Sequence, residues 1–334
     1  MGKWAAIVDR SEALQTKPSP LVVVLGPTGA GKSELGLALA EAFDGEIINC
    51  DSVQVYRGLQ IGTAKLRVEA RRGIPHHLID ILSPDQELTA AAYSHLARNA
   101  FDTLRITRKL AIVVGGTGFY LKALIEGLSP APSRDERLRA RLGNIAVRRP
   151  LALYRFLRSR DPEAASRIHP NDHQKLIRAI ELTLLAGQPA TITQSLPRNS
   201  LRGFEVLRLG LAPPRILLYE RLNQRSAQMF ESGLIEETEA ILDAGFSPTA
   251  KPLQSLGYKQ AMKVIANQMD VEEAIRECQT KTRQYAKRQI TWFHREPNVN
   301  WLPGFGDRNE IQQLALAITE KFLRESYDGK LHRE

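Results

Sequence analysis

The chain is poor in cysteine. Its 334 residues hold two, Cys50 and Cys278, far apart and in no metal-spaced pair, which excludes zinc fingers and points to a reducing compartment. No apolar run has the length that spans a bilayer. The first twenty residues mix Lys3 and Arg10 with Asp9 and Glu12 and lack a sustained apolar stretch, so they do not read as a secretory signal. Gly2 invites a myristoylation reading, but position 6 is Ala6, where a serine or threonine is expected. Internal repeats and low-complexity tracts are absent as well. What remains is a cytoplasmic globular chain, with ordinary fractions of 43% hydrophobic and 25% charged residues. Its length accommodates one domain with an insertion, or two domains. An acidic balance is also lacking: 46 Lys and Arg against 37 Asp and Glu give a formal net charge of +9, which favours polyanionic partners.

What is present begins with Gly26-Pro27-Thr28-Gly29-Ala30-Gly31-Lys32-Ser33. This run fits the phosphate-binding pattern G-x-x-x-x-G-K-[ST], and its context is right: an apolar strand, Leu21 to Leu25, precedes it, and a helix from Glu34 to Glu41 follows. Backbone N–H groups of such a loop converge on one point, and the helix N-terminus adds partial positive charge there. Lys32 is placed to neutralise phosphate oxygens and the Ser33 hydroxyl to ligate a magnesium ion shared with them. A di- or triphosphate is the expected ligand. The reaction is not specified by the loop.

Further apolar runs at 46–50, ending in Asp51-Ser52, and at 110–114, ending in Gly115-Gly116-Thr117-Gly118, alternate with helical patterns. Such runs indicate a parallel sheet covered on both faces, with ligands at the carboxyl ends of its strands. From Pro130 the pattern is helical. Ser133 reads as the cap of an arginine-dense helix to Leu142, and helices follow over 151–157 and 174–185. Phe204 to Leu211 alternates as a returning strand, and the rest, from Pro214, is mostly helix. The expected fold is therefore α/β: a P-loop NTPase-like parallel sheet with helices on both faces, plus a mainly helical insertion domain. Residues 1–20 form an N-terminal extension hinged at Pro18-Ser19-Pro20, residues 21–130 and 201–325 the core, and residues 131–200 the insertion.

Hydrolytic phosphate-loop proteins usually carry an acidic residue at another strand end to hold magnesium. Here the strand at 110–114 ends in glycines instead. The carboxylate at a strand end near the loop is Asp51, which suits three roles: magnesium residue, general base or helix cap. Gly115, Gly116 and Gly118 allow close backbone approach to a ligand, and Thr117 is either a hydrogen-bond donor to a phosphate oxygen or a polar turn residue. Over Lys281 to Arg295, Lys281, Tyr285, Arg288, Trp292 and Arg295 share a helical side. That stripe suits an RNA strand, and equally an amphipathic helix with its cations in water. The arginines at 134–141 supply a second cationic surface and tilt the balance toward RNA.

Taken together, these segments resemble the tRNA dimethylallyltransferase (tRNA isopentenyltransferase) family, bacterial type. The resemblance rests on the phosphate loop, Asn49 to Gly58, Ile61-Gly62-Thr63-Ala64-Lys65, Pro75 to Asp80, Val114 to Gly118, Ile168 to Asp172, Leu256 to Gln260 and Ala286 to Trp292. It covers residues 20–300 in the family's order. It implies transfer of a dimethylallyl group from dimethylallyl diphosphate to N6 of the adenosine 3′ of the anticodon, in tRNAs reading codons that begin with U. Residues 26–33 would then hold a diphosphate leaving group with Mg2+ on Ser33, and Asp51 would accept the amine proton. Thr117 and Arg225 would bind the departing diphosphate, with Thr28 also in the pocket. The target base would have to flip out of its stack.

The matching tRNA-contacting positions are Asp51, Ser52, Val53, Gln54, Thr117 and Arg139; Gln174, Lys175, Leu176, Ile177 and Arg178; Gln254, Ser255, Leu256, Gly257, Tyr258 and Lys259; and Lys287, Arg288, Gln289, Ile290, Thr291, Trp292, Phe293 and His294. His294 departs from the arginine usual in bacterial relatives, which leaves Arg295 to make that phosphate contact. The zinc-finger tail of some eukaryotic relatives is missing. The partners implied are tRNA and the allylic diphosphate, with no membrane, and the chain is read as a monomer. Alternative readings on the same fold are an adenylate prenyltransferase, a small-molecule kinase or a non-catalytic RNA-binding protein.

Overall fold

The computed structural model describes residues 18–328, so most of the expected N-terminal extension, residues 1–17, lies outside the described residues. Six strands form one sheet: β1 (Ser19–Leu25), β2 (Gly45–Asn49), β3 (His76–His77), β4 (Leu110–Val114), β5 (Phe204–Leu211) and β6 (Val299–Leu302). Their order is β3-β2-β4-β1-β5-β6, and every pairing is parallel. The expected hinge is already strand: Ser19 and Pro20 pair with Phe204 and Glu205. Pro20 is tolerated there because β4 joins only from Leu21 onward.

The central strands are apolar on both faces, as a covered parallel sheet requires. Val22, Val24, Ile47, Ile112 and Leu209 share a buried cluster with α1 (Lys32–Ala42) and the C-terminal helix, whose Ile311 and Ala315 join it. Alternation sends Leu21, Val23, Ile48 and Val113, all buried, to the opposite face. There α2 (Ala90–Thr107) buries Tyr93, Ala97, Phe101 and Leu104, and Phe101 packs its ring against Phe204 of β5. Each fully buried Leu or Phe contributes about 1.5–3 kcal/mol. Helix α3 (Gly118–Ile125) follows β4.

Residues Ile125–Ser200 form a separate compact unit. It contains α4 (Glu136–Arg148), α5 (Ala152–Arg160), α6 (Pro162–Arg167), α7 (His173–Ala186) and α8 (Ala190–Ser195), with its own core around Leu142, Leu157, Leu176 and Ile180. Asp135, not Ser133, caps α4, its carboxylate accepting from Leu138 N at 2.9 Å. Ser133 stands two residues too early for that bond and is exposed. Asp161 likewise caps α6 through Ala164 N and ties α8 through the backbone and hydroxyl of Thr191.

After β5 come α9 (Arg215–Glu231), α10 (Leu234–Asp243), α11 (Tyr258–Ile265), α12 (Val271–Phe293) and α13 (Asn309–Asp328). Helix α12 is amphipathic: Thr282, Ala286, Gln289 and Phe293 are buried, while Lys281, Lys287 and Arg288 are exposed. Among the described residues no helix is long and apolar enough to cross a membrane.

Candidate functional site

The phosphate loop leaves β1 at Gly26 (φ 146°) and passes Gly29 (φ 79°) and Gly31 (φ 86°), left-handed conformations that only glycine adopts without strain. Gly31 has a second constraint: a Cβ there would meet the backbone nitrogens of Gly306 and Asp307 at 2.8 and 2.9 Å. The 303–307 turn thus packs onto the loop, with Gly306 N donating to Ala30 O at 2.8 Å. Among the described residues no side-chain cap bonds the start of α1, so its first N–H groups are available to an anion. Lys32 Nζ donates to Pro27 O at 2.8 Å, which leaves two ammonium hydrogens for a ligand. Arg225 of α9 donates to the Thr28 hydroxyl at 2.6 Å.

Asp51 follows β2. Its Oδ1 accepts from Val53 N (2.8 Å) and Gln54 N (3.3 Å), which caps the turn after the strand. Its Oδ2 has no protein donor among the hydrogen bonds of the described residues. The cap and base readings of Asp51 are therefore compatible, one oxygen serving each.

The glycines after β4 are required by packing, and Gly115 alone of the three also lines a chamber of the site. A Cβ at Gly115 would lie 2.1 Å from Cys50 O, at Gly116 2.4 Å from the Gln289 amide nitrogen, and at Gly118 2.3 Å from the Trp292 indole nitrogen. The space above Gly116 and Gly118 is occupied by α12, so these residues admit protein, not ligand. Thr117 is committed in the same way. Its hydroxyl accepts from Ser52 N at 3.1 Å and donates to Ser52 Oγ at 3.4 Å, and it lines neither cavity of the site. Gln289, expected on an RNA-facing surface, is instead a buried clasp. Its Oε1 accepts from Thr28 N and its Nε2 donates to Gly116 O, both at 2.8 Å.

Two chambers adjoin. One, of about 230 Å³, is lined by Gly29, Gly31, Lys32, Ser33, Arg221 and Gln289 and by the apolar or neutral Ile47, Leu66, His76 and Ile79. The other, of about 410 Å³, is lined by Ser52, Val53, Gln254, Ser255, Leu256 and Arg288. Thr28, Asp51, Thr63, Arg225 and Tyr285 line both. The first chamber is cationic. Burial lowers the Lys32 ammonium to a pKa of about 8, Asp51 offsetting part of the effect and Arg225 adding to it. Burial also lowers Arg225 from its ordinary value. Arg221 is held at the chamber by a two-pronged pair with Asp307 and lies over the Phe305 ring at 4.7 Å.

The other expected positions divide by burial. Lys259, Lys287, Arg288, Thr291, Trp292 and His294 are exposed, and His294 stacks on Trp301 at 4.8 Å between ring centroids. Gly257 (φ 89°) caps α11, and Ile290 is half-buried. Leu176, Tyr258 and Phe293 are core residues, exposed by 0%, 0% and 1%; their side chains reach no surface ligand. In the insertion unit Gln174 and Lys175 are exposed and Ile177 half-buried. Arg139 and Arg178 there share the fully buried Glu181 carboxylate, at 3.0 and 2.6 Å.

A divalent ion at the loop would have the Ser33 hydroxyl as its protein ligand. Among the described residues no trio of His, Cys, Asp or Glu forms a metal cage. One hydroxyl with phosphate oxygens and water is the donor set of a hard cation that keeps its hydration, so the residues fit.

Fold and site together define an α/β protein of the phosphate-loop class in which two chambers meet at one carboxylate. A family model described as IPP transferase matches residues 54–296. A tRNA dimethylallyltransferase of Solibacter usitatus is 51% identical over 304 residues, spanning 91% of this chain and 99% of that protein. The solved full-length tRNA isopentenylpyrophosphate transferase of Bacillus halodurans is 34% identical with a TM-score of 0.70, covering 95% of this chain and 100% of that one. A eukaryotic dimethylallyltransferase solved in snapshots acting on tRNA is 28% identical with a TM-score of 0.77, covering 92% of this chain and 80% of that one. The chain belongs to the IPP transferase family.

Proposed function

We propose that the protein transfers a dimethylallyl group from dimethylallyl diphosphate to N6 of the tRNA adenosine immediately 3′ of the anticodon, position 37, in tRNAs reading codons that begin with U. It is a prenyltransferase by its family and by its identity with tRNA dimethylallyltransferases. The observation that carries the assignment to these residues is the position of Asp51 on the wall common to both chambers, with one oxygen committed to the turn and the other uncommitted.

In this reading the first chamber takes the diphosphate, against the loop N–H groups, Lys32 and Arg225. The second admits the flipped adenine. The N6 lone pair attacks the allylic C1 as the C1–O bond breaks, its electron pair leaving on the diphosphate oxygen. The amine proton passes to Asp51 Oδ2. Lys32 and Arg225 face the oxygen on which charge develops, the electrostatic contribution that matters most in such transfers. Thr117 acts from behind, fixing Ser52. Mg2+ held by Ser33 would, when bound, offset part of the negative charge that develops on the leaving group. The exposed cations of α12 and of α4 and α7 suit the RNA backbone, and the protein works as a cytoplasmic monomer. The test is incubation with labelled dimethylallyl diphosphate, unmodified tRNA and competing AMP. Label in tRNA alone is expected; label in AMP, or in neither acceptor, would overturn the reading.

A further inference from the structure

The loop Gln60-Ile61-Gly62-Thr63 carries no charged side chain, yet it is bound to one. Glu237 of α10 accepts from Gln60 N at 3.0 Å, from Ile61 N at 2.9 Å and from Gly62 N at 3.4 Å. Three consecutive backbone donors thus converge on one carboxylate, and the Tyr258 hydroxyl completes the set at 2.5 Å on Oε1. Tyr258 is buried, and its ring fills the space over Gly62, where a Cβ would lie 2.4 Å from it. Glycine is required at 62 by this ring.

The loop leads to the reacting centre. Thr63 lines both chambers and Gly62 the acceptor chamber. Thr63 O accepts from Gln54 Nε2 at 3.1 Å, and Gln54 N is one of the two donors that orient Asp51 Oδ1. A continuous chain of bonds therefore runs from Glu237 through the loop and Gln54 to Asp51. A carboxylate with four donors is a rigid anchor, because hydrogen bonds to a charged acceptor are the strong ones. Glu237 itself lines neither chamber.

We infer that Glu237, with Tyr258, is a positioning residue for the transfer reaction: it holds the Gln60–Thr63 loop as the shared wall of the two chambers and so sets the reach of Asp51. This rests on the prenyl-transfer reading above. Glu237→Gln keeps the side-chain shape but replaces one acceptor oxygen by an NH2 group facing backbone N–H donors. A loop shift of the order of 1 Å at a reacting group costs about 100-fold in rate, so kcat is expected to fall by roughly 30- to 100-fold. Tyr258→Phe removes one of the four donors and is expected to cost roughly threefold. Dimethylallyl diphosphate binding without RNA is expected within twofold of wild type, because the phosphate contacts lie on Lys32, Ser33 and Arg225.

The experiment measures kcat, the KM for tRNA, donor affinity and amide exchange at Ile61 and Gly62, for the full-length wild type, Glu237→Gln and Tyr258→Phe. Assays are run well below each variant's Tm. Faster exchange at those amides with a lower kcat and unchanged donor affinity supports the inference. Faster exchange with unchanged kcat overturns it, as does a kcat loss that vanishes once activity is referred to the folded fraction. Failure of the wild type to prenylate tRNA would instead overturn the proposed function, so the two are distinguished.

Discussion

Lys32 is the residue whose environment makes the sharpest quantitative demand. Desolvation in the chamber wall holds its ammonium at a pKa of about 8, against an ordinary 10.5, with Asp51 opposing the shift and Arg225 reinforcing it. An allylic diphosphate placed against Nζ favours the charged form and raises that pKa again. The terminal phosphate of the donor, with a last pKa of about 6, is fully ionised in this range. The sign follows from which form binds. Below pH 8 the free protein already carries the proton and affinity is constant; above pH 8 binding must first take a proton up, so affinity falls. If the bound ammonium stays charged beyond pH 10, the dissociation constant rises about fivefold between pH 8 and 9 and tenfold per unit above that. The same arithmetic gives uptake of about three quarters of a proton per donor bound at about pH 8.5. Calorimetric titration with dimethylallyl diphosphate, without RNA and in two buffers of different ionisation enthalpy, measures both quantities. Uptake below about a fifth of a proton at that pH, or an affinity flat across the range, would show that Lys32 is fully charged in the free protein and refute the electrostatic reasoning.

Asp51→Asn keeps an oxygen for Val53 N and Gln54 N, so the turn should persist while prenyl transfer falls about 100-fold or more; tRNA affinity by filter binding should be unchanged, and near-normal turnover would remove Asp51 as the base. Gln289→Ala strips the partner from both Thr28 N and Gly116 O. It should cost about 1–3 kcal/mol of stability and raise the donor KM roughly tenfold with the tRNA KM unaffected, as read from thermal unfolding and steady-state kinetics. Arg139→Ala removes one of two guanidinium partners from the buried Glu181. Both a lower Tm and a tRNA salt slope shallower by about one are expected; a lower Tm with an unchanged slope would assign Arg139 to the insertion core alone.

Legibility in the sequence followed the locality of the forces. Strands β4 and β5 are read to the residue because each is a buried run bounded by turn signals, and the phosphate loop because its spacing is dictated by one ligand. Strands β3 and β6 escape the reading: two histidines and Val-Asn-Trp-Leu make no apolar run, and they exist because their neighbours offer open edges. The cap of α4 was missed by two residues, since Ser133 and Asp135 are equally competent in isolation and the helix start selects between them. At the site, Lys32, Ser33 and Asp51 are legible because strand ends place them. The clasp by Gln289, the Arg221–Asp307 pair and the grip of Glu237 span sequence separations of 261, 86 and 176 residues. No local pattern encodes such pairs.

The glycines after β4 explain why this phosphate loop does not read as a hydrolytic one. A carboxylate at position 115 or 116 would be the natural magnesium residue, on the strand beside the loop. Cys50 O blocks a side chain at 115 and the Gln289 amide blocks one at 116, so the packing that ties α12 to the loop excludes it. The acidic group lies instead one strand further out, at the end of β2, on the wall where the second chamber begins. From there Asp51 borders both chambers, as Arg225 does, while Lys32 lines the first alone. In the proposed reaction, the close packing that closes the loop to a hydrolytic carboxylate leaves Lys32 and Arg225 to grip the diphosphate and Asp51, on the wall common to both chambers, to serve the acceptor.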